Sequence, residues 1–237
     1  MAAGTLLGRA VVTKAQRVLN DLHHVNWPLD ELVDWGNCGQ NQIVLLRPDA
    51  SSEYVEMDLV AGVRQPLPDN TVRLLDVVRN VGGRAITYCK RADLDANNVD
   101  WYTMTGSVLA KHWSFDDRVP QQWLIYPPQS SSPGRAEIMR SYDPTPFTLD
   151  KVNGATIDSV IGIPNIFEGA LIDYIIYRSY SKDATYTVRG GKADMAWNHF
   201  MQSLGLQVQV DKMFSPESNT PPHRTSSTPG KTGAFQQ

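Results

Sequence analysis

Few residues in this 237-residue chain stand at spacings that chemistry would use. Gly230-Lys231-Thr232 matches only the end of a phosphate-binding loop. The full pattern puts another glycine five residues before Gly230, between a buried strand and a helix. Thr225 occupies that position, so nucleotide binding is not expected. Among the histidines, His23 and His24 are adjacent and would point to different faces of a helix, so they cannot share one ion. His112, His199 and His223 lack the cysteine or carboxylate partners at the spacings zinc sites use. No metal or cofactor is therefore expected. Asp30, Glu31 and Asp34 open a predicted helix, where the positive end of the dipole favours carboxylates. Asp116 and Asp117 flank a turn, an ordinary use of aspartate. The serines form no nucleophile elbow. A hydrolase would require the fold to gather His112, Asp116 or Asp117 and a nucleophile in one pocket, and the sequence does not favour an enzyme. Cys38 and Cys89 read as small buried residues rather than a disulfide. The six tryptophans are scattered, as core and interface anchors would be, and are not interleaved with basic residues for base stacking.

The elements that would carry these residues follow from periodicity. Residues 5–23 predict an amphipathic helix with Leu7, Val11, Ala15, Val18 and Leu22 on one face. Lys14, Arg17 and Asp21 fall mostly on the other. After a break at Asn26-Trp27-Pro28, a second helix spans Leu29–Leu46, with Leu29, Leu32, Val33, Gly36, Gln40 and Ile43 in register. Gly36 and Gly39 each cost about 1 kcal/mol relative to alanine there, and close approach of another helix is the natural compensation. Pro48 ends this helix. The period then becomes two: Val55, Met57 and Leu59 alternate with Tyr54, Glu56 and Asp58. Residues 72–80 predict a more buried strand, and Gly82-Gly83 a hairpin turn into residues 84–88. One helical turn at 93–96 and strands at 111–115, 122–126 and Arg135–Tyr142 follow, with Pro127-Pro128 and residues 130–134 as turns. Helical periodicity returns after Pro164, through Phe167, Ala170, Leu171, Tyr174 and Ile175, to about Tyr180. A last helix over 187–204 aligns Ala193, Trp197, Phe200 and Leu204, with Gly205 as its cap.

This order predicts an α+β fold. Residues 1–48 and 163–206 would form the halves of a four-helix bundle, with a mainly antiparallel β domain at 49–162 inserted between them. Residues 207–237 would be an extended tail, with Val208 and Val210 as a short extended segment. The tail is rich in serine, threonine, proline and glycine, so it gains order only by lying on a partner. Its anchors would be Phe214 and Phe235, with Arg224 and Lys231 as ionic contacts. A formal charge of −3 argues against a general nucleic-acid binder. No membrane helix or convincing signal peptide is read in the sequence, which is expected to act as a soluble protein.

Three segments then carry a resemblance. They are WPLDELVDWGNCGQNQIVLLRPDAS from Trp27 to Ser51, RLLDVVRNVG from Arg73 to Gly82, and ALIDYIIYRSYSKDATY from Ala170 to Tyr186. In order and separation they resemble the adaptor, or head-to-tail connector, proteins of short-tailed phages. The resemblance covers about residues 5–205 and is structural rather than catalytic: Arg47, Asp49, Arg178, Lys182 and Asp183 would fix junctions at helix ends. It implies a virion protein made in the host cytoplasm, present as a ring of twelve copies under the portal. Its tail would reach into the portal, its sheet would face nozzle or tail-fibre proteins, and phage DNA would pass through the channel. The alternatives left by the residues alone are a receptor-binding module working through the β domain and a small phage-encoded hydrolase.

Overall fold

In the computed structural model, the described residues are 5–132, 134–152, 155–182 and 187–214. Helix α1 (Gly8–Leu19) buries Val11, Val12, Ala15, Gln16 and Leu19. It stops earlier than its periodicity predicts because Asn20 adopts the left-handed conformation, φ 54°, and its N–H returns to the carbonyls of Gln16 and Arg17. The buried face is correspondingly rotated. Val18 and Leu22, assigned to the core from their spacing, are exposed, whereas Asp21 is buried.

Helix α2 (Leu29–Leu46) has the predicted bounds, and Leu32, Gly36, Gly39, Gln40 and Ile43 face inward. Pro28 precedes it and no side chain caps its first turn, so the acidic cluster there does not act as a hydrogen-bonding cap. A 3₁₀ turn, Pro48–Ser51, leads into the β region.

Two sheets form that region. The first orders β1 (Ser52–Asp58), β7 (Arg135–Tyr142) and β3 (Thr71–Asn80) as β1-β7-β3, all antiparallel. The second orders β2 (Gly62–Pro66), β6 (Gln122–Gln129), β5 (His112–Phe115) and β4 (Thr87–Tyr88) as β2-β6-β5-β4. In it the short β4 pairs in parallel with β5. Leu74, Val77, Ala136 and Ile138 of the first sheet meet Trp113, Trp123 and Ile125 of the second in one buried cluster. A packed pair of sheets thus replaces the single sheet read from the sequence. Pro127 and Pro128 lie inside β6 rather than in a turn. Helix α3 (Arg91–Asn97) and Trp101 cover part of the outer face of the second sheet, where Leu94, Trp101 and Val63 form a small core.

Strand β3 departs from period two. Its burial repeats every third residue, with Thr71, Leu74, Val77 and Asn80 inward. The cause is three register shifts against β7: Thr71 pairs with Tyr142 and Asn80 with Ala136, so ten residues run against seven. Each bulge inserts one extra residue and resets which side chain points in. At one of them the Asp76 carboxylate accepts the Val77 N–H at 2.8 Å. The predicted turn at Gly82-Gly83 forms, with Gly82 at φ 70°. The returning chain bridges Arg79 only at Ala85 before crossing to the other sheet. Buried Asn80 holds that crossing: its amide donates to the carbonyls of Arg84 and Ala110 and accepts the Ala110 N–H.

A two-stranded ribbon, β8 (Leu149–Val152) with β9 (Ala155–Asp158), was not legible in the sequence. Helices α4 (Glu168–Lys182) and α5 (Thr187–Phe214) complete the chain. Helix α4 is central, with α1, α2 and α5 all packed on it. Their shared core takes Val11, Ile43, Leu171, Ile175 and Phe200, together with Phe147, Ile161 and Ile163 from the ribbon's flanks. Helix α5 runs through Gly205 to Phe214, so Gly205 is not its cap and Val208 and Val210 are helical.

Gly39 makes room for another helix as expected, whereas Gly36 makes room for a ring from the segment that precedes β8. A Cβ on Gly39 would lie 2.7 Å from Leu171 Cδ1 of α4, and one on Gly36 would lie 2.5 Å from Phe147 Cζ.

Candidate interaction surfaces

The junction residues divide clearly. Arg47 is buried at the end of α2, where its Nε donates to Asp49 Oδ1 at 2.9 Å and its Nη2 to Asp49 Oδ2 at 2.5 Å. The guanidinium also stands 5.9 Å from the centre of the Phe167 ring. This fork fixes the turn between the helices and β1 and holds the Asp49 carboxyl below its usual range, chiefly through the Arg47 hydrogen bonds. Lys182, at the end of α4, donates to both Glu31 oxygens at 2.7 and 2.6 Å, tying α4 to the first turn of α2. Arg178 is exposed on α4. Asp183 lies outside the described residues. So do the tail anchors Arg224, Lys231 and Phe235, while Phe214 is the last residue of α5.

The residues weighed for catalysis do not converge. His112 Nδ1 is 2.7 Å from Thr87 Oγ1, and its ring stacks on Tyr126. Asp116 lies four residues along, about 13 Å in an extended strand. Its carboxylate faces Arg91 at 3.5 Å and accepts the Arg118 N–H at 3.0 Å, the turn role expected of it. Beside it is a hollow of about 250 Å³ lined by Arg64, Arg91, Tyr102, Asp116, Gln122 and Leu124, into which no histidine, serine or cysteine projects among the described residues. His199 lies near the half-buried Asp173 of α4. Burial raises the Asp173 carboxyl above its usual range, and His199 only partly opposes that. No described group of three or more His, Cys, Asp or Glu side chains could hold a metal ion.

Both cysteines are free. Cys38 is exposed on α2 and Cys89 half-buried, which corrects their reading as buried residues. Of the tryptophans, Trp27, Trp101, Trp113 and Trp123 are buried core residues.

Sequence reasoning missed the loop joining α1 to α2. Its organiser is Asp21, whose carboxylate accepts the N–H groups of Val25, Asn26 and Trp27 at 2.8 to 3.0 Å. Burial pushes this carboxyl up, but the three backbone donors outweigh it and the net shift is downward. Trp27 anchors the loop by donating from Nε1 to the Ser179 carbonyl at 3.0 Å. Periodicity had placed Asp21 within the first helix, on its polar face, so nothing in the spacing marked its role.

What the structure presents, then, is a helical core with a two-sheet insertion, rigid junctions and exposed apolar surface. No described helix is long and apolar enough to cross a membrane. The chain matches the SU10 adaptor protein family over residues 3–224 and belongs to it. It is thereby a phage adaptor, a structural protein of the virion. No curated protein matches it significantly.

Proposed function

We propose that this chain is the ring-forming adaptor subunit at the head-to-tail junction. Twelve copies close beneath the portal and continue its DNA channel. The helices act as a four-helix bundle that builds the ring wall, and the tail beyond Phe214 staples each subunit to the portal. The β domain, 49–162, faces the nozzle or tail-fibre proteins. The mechanism is geometric: repeated contacts between subunits close a ring, and tails hold it to the ring above.

One observation carries this reading. The family match runs through both helical parts, the insertion and into the tail, to residue 224. A match of that extent supports reading the whole chain, and not one part of it, in the adaptor role. A formal charge of −3 fits a channel that lets DNA pass rather than gripping it.

Binding to cognate portal rings tests the proposal. Full-length protein should bind, and a version ending at Phe214 should bind at least about tenfold more weakly, a loss of about 1.4 kcal/mol. Equal binding by both would remove the stapling role from the tail, and binding by neither would refute the adaptor position.

A further inference from the structure

We infer that copies of this chain join head to tail through the helical region. An apolar knob at the end of α1 in one copy seats in an acidic, apolar hollow beside α2 of the next. The inference rests on the adaptor reading and deepens it by naming the surfaces that close the ring.

The knob is Val18, Leu22 and Val25, which are 60, 55 and 80% exposed. Single exposed aliphatic residues are ordinary, but here three fall within eight residues, at the end of α1 and in the loop that follows it. Arg17 lies beside them, exposed and in no ion pair among the described residues. The patch is also rigid. Asp21 gathers three backbone N–H groups of the loop that bears Leu22 and Val25, and buried Trp27 pins its far end. The His24 ring, 2.7 Å from Gln16 Nε2, fixes the middle. Apolar side chains held outward in this way lose little freedom on docking.

The hollow has a volume of about 500 Å³, and its lining includes Leu29, Asp30, Val33, Asp34, Phe147 and Leu149. Asp30 and Asp34 stand one helical turn apart on the exposed side of α2, with no ion pair to either among the described residues. Like charges at that spacing repel. The helix terminus relieves Asp30 in the first turn, but Asp34 lies beyond it. A cation supplied from outside would relieve both.

The two surfaces complement each other, aliphatic against aliphatic and Arg17 against Asp30 and Asp34. The exposure of Leu22 and Val25 shows that the knob does not fill the hollow of its own chain. The surfaces share no residue, so one copy can use its knob and its hollow on two different neighbours, which is the heterologous arrangement proposed here. Each copy gives a knob to one neighbour and a hollow to the other, and such contacts close into a ring when the rotation allows.

The test uses full-length protein with two double variants at exposed positions. The knob variant is Leu22→Asp with Val25→Asp, and the hollow variant is Asp30→Lys with Asp34→Lys. Thermal melting confirms that each folds. Assembly is then followed by sedimentation over a concentration series, alone and on portal rings. Each variant should weaken assembly at least about tenfold. Mixed together, the two retain one intact knob and one intact hollow, so they should form a 1:1 pair and nothing larger.

Variants that assemble like the wild type, or a mixture that forms no pair, would overturn the contact. So would wild-type chains that stay monomeric both alone and on portal rings. Loss of portal binding with self-association unchanged would make the portal the occupant and also overturn it. Portal-bound rings untouched by the variants would remove this contact and leave the adaptor reading standing. Association through the knob without any portal binding would do the reverse.

Discussion

Two residues show how local chemistry sets this molecule's shape. Gly36 exists for contact: its missing Cβ makes room for Phe147, whose fully buried ring also lies against Gly8 of α1. Alanine there gains about 1 kcal/mol of helix propensity but overpacks a rigid ring, at a cost of about 1–3 kcal/mol. Overpacking wins, so Gly36→Ala should lower stability in chemical denaturation. Asp21 exists for conformation. Its carboxyl pKa is depressed below the ordinary 3.8, so its stabilising effect is complete above that value and fades as pH falls through the lower folded value. Asp21→Asn should therefore melt below the wild type at neutral pH, with the gap narrowing in acid. A constant gap across that range would show that the charge is not what the loop uses. The glycine compensation was legible in the sequence because its helical cost demanded a reason. The role of Asp21 was not, because nothing in spacing shows which backbone amides will turn toward one carboxylate.

At the scale of elements, period decided what could be read. Helices α2, α4 and α5 kept their 3.6-residue patterns and were found with their inward faces. Strand β1 kept period two, and Val55 and Met57 within it and Leu59 just after it are more buried than Tyr54, Glu56 and Asp58, as expected. Strand β3 was recognised as a strand, but its threefold burial arises from bulges against β7, a partner sixty residues away that no local pattern reveals. The ribbon β8-β9 was missed because it is short and its apolar flanks serve the helical core. The end of α5 was misplaced because glycine most often marks a helix end, whereas Gly205 sits mid-helix with open space about it. Gly205→Ala should accordingly raise stability by about 1 kcal/mol. A destabilisation would mean that the position needs a left-handed glycine and that the helix stops there. Between α4 and α5, Asp173 carries a raised pKa caused mainly by burial, so the folded state favours its protonated form. Its burden on stability is greatest above the folded pKa and disappears as pH falls below the unfolded value. Asp173→Asn should raise the melting temperature at neutral pH and change little in acid.

At the scale of the molecule, the division of labour is between a helical core that holds junctions and a two-sheet insertion that projects its own surface. Arg47 with Asp49, and Lys182 with Glu31, sit where helices meet the rest of the chain; of the five junction residues the resemblance named, Arg178 is instead exposed and Asp183 lies outside the described residues. The family was legible because three segments, 27–51, 73–82 and 170–186, resemble it in order and separation, and the family match spans all three. The exposed knob and the acidic hollow were not, because spacing alone placed Val18 and Leu22 in the core. The functional claim is that this fold becomes an adaptor by repetition around an axis. The most direct measurement is the intact mass of the complex formed with cognate portal rings at saturating adaptor. A single species carrying twelve copies of the 26.4 kDa chain per portal ring is expected. A portal ring that binds no copies, or a scattered range of occupancies with no closed species, would contradict it.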